Sequence, residues 1–467
     1  MLVPALWDRI AARCGFEVVH LLHPSFDRET VAAERNTDGL FFFHQDIRTE
    51  LPSPDRALLL SMERAGVPTI HNMIMSDRVV RRLRYEEALS YATLLTRRLI
   101  EVYRETSPSV IIGGFDALHG SLGLAVARHL NIPWYAMYFP GLPTGHVALC
   151  SDMSPSSLTA LESRREEELL PLASMLLQQF ESRKAQAAAY VPPRILSPSF
   201  ILRQIPSQLR SLLTVLRRRR LRRYLQYTNY ANSYSVAAQF TEALRLRRNL
   251  WQLRRQRLRT AAPLERYAFF GLHMQPESSI DVFAHFFANQ THVIELMARS
   301  LPPTHKLLVK LHKSDPLNYS SARLDEWRQF PGVDLVSPWA DTHELISKAD
   351  LVFSIQGTIG LEAALLGRPV IMFGDSPYKG FPSVSTLGRT IDLPQLVRDK
   401  LLETTPQRPQ IVRAFAAYLS LFYAASANDW TVRPSDQEID GFATLFQVLA
   451  RKLLPSAPSR AQSQVLQ

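Results

Sequence analysis

The chain has 467 residues, of which 46% are hydrophobic and two are cysteines. This length exceeds one ordinary core and predicts two domains, while two isolated cysteines exclude a disulfide-stapled scaffold and favour a reducing, cytoplasmic setting. The apolar stretches are too short and too interrupted by charged residues to predict a signal peptide or a membrane-spanning helix.

The first 200 residues alternate short apolar runs with helical patterns. The runs FEVVHLL, GLFFFH, VPTIHNMI, SVIIGG and IPWYAMY have the length of strands, and RYEEALSYATLLTRRLIEVYRE has helical periodicity. This alternation predicts a Rossmann-like acceptor domain over residues 1–200, with a parallel sheet. In its turn SVIIGGFDALHG, Asp116 and His119 are candidate general bases; the alternative is a helix cap and an ordinary first-turn residue.

Residues 201–262 are strongly basic. Between Arg203 and Arg259 there are fifteen arginines, no lysine and one acid, so this stretch carries +14 while the whole chain carries +11. Leucines recur there at helical spacing and predict amphipathic helices. They are Leu209, Leu212, Leu213 and Leu216, and then Leu246, Leu250 and Leu253.

Three interpretations of the basic segment stay open. Its arginines can be solvated on helices that pack on the body of the protein, or they can dock on an anionic inner-membrane surface. Nucleic-acid binding is the third and is not expected, because no recognised motif or aromatic platform accompanies the arginines. The arginines assigned to membrane docking are Arg217, Arg218, Arg219, Arg220, Arg222 and Arg223.

Strands and helices alternate again after the basic segment. The runs RYAFFGL, HKLLVKLH, VDLVSP, LVFSI and PVIMFG predict a second Rossmann-like domain, the donor domain, over residues 263–415. Helical patterns follow over residues 416–454, and the polar residues 455–467 predict a disordered tail. Two such domains predict a ligand cleft between the carboxyl ends of their sheets.

The segment ADLVFSIQGTIGLEAALLGRPVIMFGD contains the most specific motif. A strand ends at Ser354, a turn contains Gly357 and Thr358, and a helix begins at once. Because backbone N–H groups at a helix start attract phosphate oxygens, we expect a nucleotide phosphate here. Ser354, Gln356 and Thr358 are expected to add hydrogen bonds, and Glu362 to bind a sugar or ribose hydroxyl pair.

Two further strand ends carry polar side chains. In YAFFGLHMQPESSIDVFA, His273 and Glu277 are catalytic candidates and Gln275 is a donor-binding candidate; the alternative for His273 is an ordinary hydrogen-bonded histidine. The later KLHKSDP supplies a cationic cluster that suits a nucleotide phosphate or an acidic sugar. Its members are Lys310, His312 and Lys313. No metal site is expected, since no Asp-x-Asp ends a strand and no ligand-spaced cluster occurs.

These motifs resemble known families. The pattern S-x-x-G-T-x-x-x-E-A-x-x-x-G-x-P-V-I is similar to the donor-nucleotide segment of GT-B glycosyltransferases and of UDP-N-acetylglucosamine 2-epimerases. Residues 267–380 resemble the capsule polysaccharide biosynthesis family, which includes transferases of Kdo (3-deoxy-D-manno-octulosonic acid). The chain departs from that family at His312, which Lys313 follows where the family usually has proline.

The resemblance implies an α/β, GT-B-like fold in which two Rossmann-like domains face a central cleft. It implies a metal-independent glycosyltransferase that needs no cofactor and takes a CMP- or UDP-linked sugar donor, with CMP-Kdo as the donor it favours. The acceptor would be a surface polysaccharide or glycolipid, and the protein cytoplasmic, at the inner membrane. A nucleotide-sugar 2-epimerase and a non-catalytic capsule assembly or export factor stay open as alternatives.

Overall fold

The computed structural model describes residues 4–22, 40–42, 51–64, 66–115, 117–158, 160–161, 166–183, 236–256, 258–425 and 435–453. Its strands are β1 (His20–Leu22), β2 (Leu40–Phe42), β3 (Ile111–Gly113), β4 (Trp134–Tyr138), β5 (His146–Cys150), β6 (Tyr267–Gly271), β7 (Lys306–Lys310), β8 (Val333–Val336), β9 (Leu351–Ser354), β10 (Val370–Met372), β11 (Val384–Thr386) and β12 (Tyr423–Ala424).

The α-helices alternate with these strands. They are α1 (Pro4–Cys14), α2 (Arg56–Met62), α3 (Ile70–Ser76), α4 (Tyr85–Thr106), α5 (Leu118–His129), α6 (Glu166–Glu181), α7 (Val236–Arg255), α8 (Ser278–Asp281), α9 (Gln290–Ser300), α10 (Ser321–Arg328), α11 (Thr342–Lys348), α12 (Thr358–Leu365), α13 (Leu393–Leu402), α14 (Arg408–Leu419) and α15 (Asp436–Leu453).

The C-terminal half is built on a six-stranded parallel sheet. Its strand order is β8-β7-β6-β9-β10-β11, the 3-2-1-4-5-6 order of a doubly wound Rossmann sheet. Helices cover both faces, so neighbouring residues such as Phe269 and Phe270 enter separate buried clusters on opposite sides. The order reverses between β6 and β9, and their carboxyl ends form the edge where ligands bind in such sheets.

The N-terminal half contains a four-stranded sheet in the order β3-β4-β5-β12, with a separate parallel pair β1-β2. Strands β3 and β4 are parallel, whereas β4-β5 and β5-β12 are antiparallel. This sheet is therefore mixed rather than wholly parallel as the sequence pattern indicated. The expected α/β fold class, with a sheet and covering helices in each half, is confirmed.

The run VPTIHNMI forms helix α3 and not a strand. The Thr69 hydroxyl accepts a hydrogen bond from the Asn72 N–H, 3.2 Å away, and so caps the first turn. Ile70, Met73 and Ile74 are buried at helical spacing. The strand prediction was wrong because this short apolar run fits the periodicity of a strand and that of a helix equally well. The cap at Thr69 decides for the helix.

The end of the chain returns to the N-terminal half. Strand β12 pairs with β5, and α15 packs against α1, where the rings of Trp7 and Phe446 lie 5.1 Å apart. Conversely, helix α6 of the first 200 residues packs against α14. Leu177 and Phe180 of α6 enter the core of the C-terminal half. The segment boundaries drawn from the sequence stay predictions.

The basic segment is described only from α7 onward. Leu246, Leu250 and Leu253 are buried against the C-terminal sheet, so they are not available to a membrane. The six arginines from Arg217 to Arg223, and the predicted tail 455–467, lie outside the described residues. Across the ranges that the structure describes, no helix combines the length and hydrophobicity needed to cross a membrane.

Candidate active site

Three strand ends converge at the reversal point of the C-terminal sheet. His273 follows β6, His312 follows β7, and Gln356 follows β9; these strands are neighbours in the sheet. The sequence motifs around Tyr267, Lys310 and Ser354 therefore lie at one edge. They lie close together because the carboxyl ends of all strands in a parallel sheet are at the same edge.

His273 is buried and is held at both backbone groups. Its N–H donates to Oε1 of Gln290 at 2.8 Å, and its carbonyl accepts from Nε2 of the same side chain at 3.0 Å. Its ring Nε2 accepts from the backbone N–H of Gln356, 3.5 Å away, so the ring joins the β6 and β9 turns. Burial, and then His312, lowers the pKa of His273 to about 3, which keeps the ring neutral near pH 7.

The turn after His273 is fixed by the Gln275 side chain. The Gln275–Pro276 peptide is cis. The Gln275 amide donates to Asp281 at 3.1 Å and to the Ala288 carbonyl at 2.9 Å, and it accepts from Gln290 at 3.2 Å. Both of its N–H donors are therefore used inside the turn. The Gln275 side chain therefore supports the turn, and its predicted role in donor binding stays a prediction.

Glu277 lies at the start of α8 and is partly exposed. Its carboxylate accepts from the Ser279 hydroxyl at 2.8 Å, while its N–H donates to Asp281 at 3.1 Å. Asp281 is buried and also faces the N-terminal half, where Arg81 lies 3.7 Å away. Glu277 thus lies in a turn that is held by hydrogen bonds to the buried Asp281 carboxylate.

Lys310 is buried at the end of β7. Its ammonium donates to the Pro338 carbonyl at 3.1 Å. Burial, and then the charge of Lys313, lowers the pKa of Lys310 to about 8, and the charge of Glu362 opposes this shift. Burial and the two lysines lower the pKa of His312 to about 4, and its Nδ1 accepts from the Ser314 N–H. His312 is therefore neutral near pH 7, and the cationic cluster predicted here consists of Lys310 and the exposed Lys313.

The loop after His312 holds a buried carboxyl group. Asp315 accepts from the Gln275 N–H at 3.3 Å and from the Asn318 side chain at 2.7 Å, and Asn318 also donates to the Gln275 carbonyl at 2.8 Å. Burial raises the pKa of Asp315 to about 7, although the hydrogen bonds from Gln275 and Asn318 lower it. This loop contains the departure from His-Pro noted in the sequence, and it supports the β6 turn.

The phosphate-type turn lies between β9 and α12. Gly357 has φ +105°, which L side chains rarely adopt, and as a glycine it offers no side chain to cap α12. The N–H groups of the first helical turn are thus left for a ligand. Gln356 is only 2% exposed, and within the described residues its Nε2 has no hydrogen-bond partner. A buried amide donor without a partner is costly, and an anion beside it would remove that cost.

The other predicted residues of this turn have defined partners. The Ser354 hydroxyl donates to the Gln356 carbonyl at 3.3 Å, and the Tyr378 hydroxyl donates to the Gly357 carbonyl at 2.6 Å. Burial raises the pKa of Glu362 to about 7, while a hydrogen bond with Thr358 and the charge of Lys310 lower it. The charges of Glu362 and Lys310 therefore influence each other near the start of α12.

The N-terminal half closes directly over this turn. A Cβ atom on Gly141 would lie 2.1 Å from Cγ2 of Thr358, so the chain after β4 touches the start of α12. Burial raises the pKa of Tyr138, and the neighbouring Gln356 side chain opposes that rise, although the two groups do not form a hydrogen bond of ordinary geometry. Phe115 packs edge-to-face on Phe283, with ring centroids 4.8 Å apart. The two halves of the chain thus contact each other beside this turn.

The candidate bases of the N-terminal half are only partly described. Asp116 lies outside the described residues, and His119 is a partly buried residue in the first turn of α5. The Phe115–Phe283 contact brings that turn against the β6 turn. Among the described residues no group of three or more His, Cys, Asp or Glu side chains is arranged to hold a metal ion.

Sequence reasoning missed several residues of this site. Gln290, Asp281 and Asp315 hold the β6 turn, and Tyr138 and Gly141 bring the N-terminal half to it. No local pattern marks Gln290, which is simply the first residue of α9. Nothing in the sequence around Gly141 indicates its contact with α12.

A family comparison matches the same part of the chain. Residues 171–392 match the model of the family described as Capsule polysaccharide biosynthesis protein. The resemblance to the capsule polysaccharide biosynthesis family is confirmed. The matched region contains the whole C-terminal sheet and all of the donor-side residues discussed above.

Solved structures resemble the chain more distantly. The KpsC beta Kdo 2,7 transferase of Thermosulfurimonas dismutans is 11% identical, with a TM-score of 0.34, over 75% of this chain and 89% of that chain. The KpsC beta Kdo 2,4 transferase of the same organism is 14% identical, with a TM-score of 0.31, over 74% and 87%. The UDP-GlcNAc 2-epimerase from Neisseria meningitidis bound to UDP-GlcNAc is 12% identical, with a TM-score of 0.26, over 88% and 91%.

The comparison with curated proteins found no match. At TM-scores this low, the structural likenesses carry no argument about activity. What the site does must be argued from the residues of this chain.

Proposed function

We propose that the chain is a glycosyltransferase that moves a sugar from a nucleotide-sugar donor to a capsular or other surface polysaccharide, or to a glycolipid. One observation carries the proposal: the uncapped start of α12 lies beside the buried Gln356 amide, whose Nε2 has no partner among the described residues, at the reversal point of a Rossmann sheet. Free N–H groups at such a point bind phosphate oxygens. The match to the capsule polysaccharide biosynthesis family supports a surface glycan as the acceptor.

The proposed chemistry needs a group that stabilises the leaving nucleotide and a base for the acceptor. The first-turn N–H groups of α12, the Gln356 amide and the charge of Lys310 would stabilise the phosphate as its bond to the sugar breaks. Asp116 or His119 would take the proton from the acceptor hydroxyl as it attacks the sugar. Glu277, on the opposite turn, would bind a sugar hydroxyl or move a proton.

The donor follows from the family resemblance rather than from the site. CMP-Kdo is the donor we propose first, and a UDP-linked sugar is the second. The positive charge of Lys310 and Lys313 suits the carboxylate of an acidic sugar as well as a nucleotide phosphate. The reaction as proposed needs no metal ion, because helix N–H groups and lysines supply the positive field.

Thermal unfolding with CMP, UDP, GDP and CMP-Kdo tests the donor site. We expect one of these ligands to raise the Tm of the wild type, because a ligand specific for the folded state stabilises it. The shift should fall in Gln356→Leu, which removes the unpartnered amide, and should persist in Gln395→Leu, which changes an exposed glutamine. No shift with any nucleotide, or an equal shift in Gln356→Leu, would count against the site.

Product analysis separates transfer from the two alternatives. With the ligand that binds, a transferase should release free nucleotide only when a glycan or glycolipid acceptor is present, and the acceptor should gain the mass of one sugar. Conversion of a UDP-sugar without any acceptor would favour a 2-epimerase. Binding without either reaction would favour a non-catalytic assembly factor.

A further inference from the structure

Helix α7 has an outer face that the body of the protein does not cover. Its inner face, with Leu246, Leu250 and Leu253, is buried in the C-terminal core. On the opposite side, Leu244 is 53% exposed and Trp251 is 52% exposed. The exposed arginines of the same helix are Arg245, Arg247, Arg248, Arg254 and Arg255.

The apolar and basic residues of this outer face form one stripe. Leu244, Arg248, Trp251 and Arg255 follow one another at spacings of three or four residues, which places them on one side of a helix. The Arg255 guanidinium lies 3.6 Å from the centre of the Trp251 ring. Within the described residues, none of the five arginines forms an ion pair with a carboxylate.

We propose that this stripe of α7 docks on the surface of an anionic lipid bilayer. Tryptophan and leucine side chains favour the boundary between headgroups and acyl chains, and arginines beside them pair with lipid phosphates. Arg248 and Arg255 in the stripe, and Arg245, Arg247 and Arg254 beside it, form no ion pair with a described carboxylate and give this side of α7 the positive charge that an anionic surface attracts. A nucleic acid would use the arginines but gains little from exposed Leu244, so the bilayer is the occupant that fits the whole face.

Hydrogen bonds connect the docking face to the candidate active site. Asn249, buried on the inner side of α7, donates to the carbonyls of Pro316 and Leu317 at 3.0 and 3.1 Å. The same loop contains Asp315 and Asn318, which hold the backbone of Gln275. A bilayer bound to α7 would therefore lie at a fixed position relative to the β6 turn. The inference itself does not depend on the proposed transferase activity.

Vesicle flotation of the full chain tests the proposal. Mixed phosphatidylcholine–phosphatidylglycerol vesicles should carry the protein upward, pure phosphatidylcholine vesicles should not, and added salt should weaken the binding. Both Trp251→Ser and the double change Arg248→Glu with Arg255→Glu should reduce the apparent partition coefficient by about tenfold or more. These side chains are exposed, so an unchanged Tm should show that the variants fold.

Matched controls separate this face from general charge and aromatic content. Trp339 is 55% exposed, so Trp339→Ser removes a comparable tryptophan; Arg413→Glu with Arg451→Glu makes the same change in net charge on α14 and α15. Both controls should float like the wild type. Wild-type flotation by the α7 variants would overturn the proposal, and so would binding of an RNA oligonucleotide without any vesicle binding.

Discussion

Glu362 and Lys310 form a buried acid–base pair whose pKa values lie close to neutrality. The carboxyl pKa is raised to about 7 and the ammonium pKa is lowered to about 8, in both cases mainly by burial. As pH rises through about 7, Glu362 gains a negative charge; through about 8, Lys310 loses its positive charge. Each step makes the site less favourable for a phosphate.

This titration predicts a pH-dependent affinity. The affinity for a nucleotide sugar should fall between pH 6 and pH 9 in two steps, near about 7 and about 8. Glu362→Gln should lack the carboxyl step, and the remaining Lys310 step should move below about 8, because the Glu362 charge raises the Lys310 pKa. Isothermal titration calorimetry across this range measures both, and a nucleotide sugar is the right probe because its phosphodiester does not titrate there. A flat profile in the wild type would contradict the role given to the pair.

Gln290 is the residue that fixes the backbone of His273. Gln290→Ala should leave a buried N–H and a buried carbonyl of His273 without partners, at a cost of about 2 to 4 kcal/mol in the free energy of unfolding. Urea denaturation measures this cost, and the nucleotide-induced rise in Tm should shrink as well. Gln395→Ala, at an exposed glutamine, is the control and should change neither. If Gln290→Ala is as stable as the control, the hydrogen bonds of Gln290 do not hold the His273 backbone in place.

At the scale of elements, the β9–α12 turn depends on one glycine. A side chain on Gly357 is strained because its φ is +105°, and the new Cβ would lie 3.2 Å from Cε1 of His273. Gly357→Ala should therefore lower stability by about 1 to 3 kcal/mol and abolish nucleotide binding. Gly380→Ala, where a Cβ meets no atom within 4 Å, should be neutral in both measurements. Full nucleotide binding by Gly357→Ala would show that the turn is not the phosphate site.

The elements of the C-terminal half could be predicted because their signals agree. Apolar runs of strand length, glycine turns and helix starts all indicate the same parallel sheet, and burial on both faces keeps those runs continuous. In the N-terminal half the signals compete. The run from Val67 to Ile74 is apolar enough for a strand, and only the cap at Thr69 makes it a helix. Strand β5 was not predicted; it pairs with β4, the preceding strand, and with β12, which is distant in the chain.

In the candidate site, too, local sequence patterns identify some residues, whereas other roles depend on contacts between segments that are distant in the chain. His273, Gln356, Gly357 and Glu362 could be named because each lies at a strand end or a helix start. The use of Gln275 as a support could not be predicted, since its partners lie on segments that meet it only in the fold. The neutral state of His312 is likewise a consequence of burial, which a sequence pattern does not give.

At the scale of the whole molecule, the two halves meet where Gly141 touches Thr358. Gly141→Ala should force them apart, because its Cβ would lie 2.1 Å from Cγ2 of Thr358. We expect a weaker nucleotide-induced rise in Tm. Thr358→Ser removes that methyl group and keeps the hydroxyl that pairs with Glu362. The double variant should therefore recover binding; if it binds no better than Gly141→Ala alone, the contact is not what limits closure.

The central claim is that the uncapped start of α12 binds the phosphate of a nucleotide sugar between the two halves. A crystal structure with the nucleotide that raises the Tm most tests this claim directly. We expect phosphate oxygens at about 2.7 to 3.2 Å from the backbone nitrogens of the first turn of α12 and from Nε2 of Gln356. A nucleotide bound elsewhere, with this turn and the Gln356 amide untouched, would contradict it.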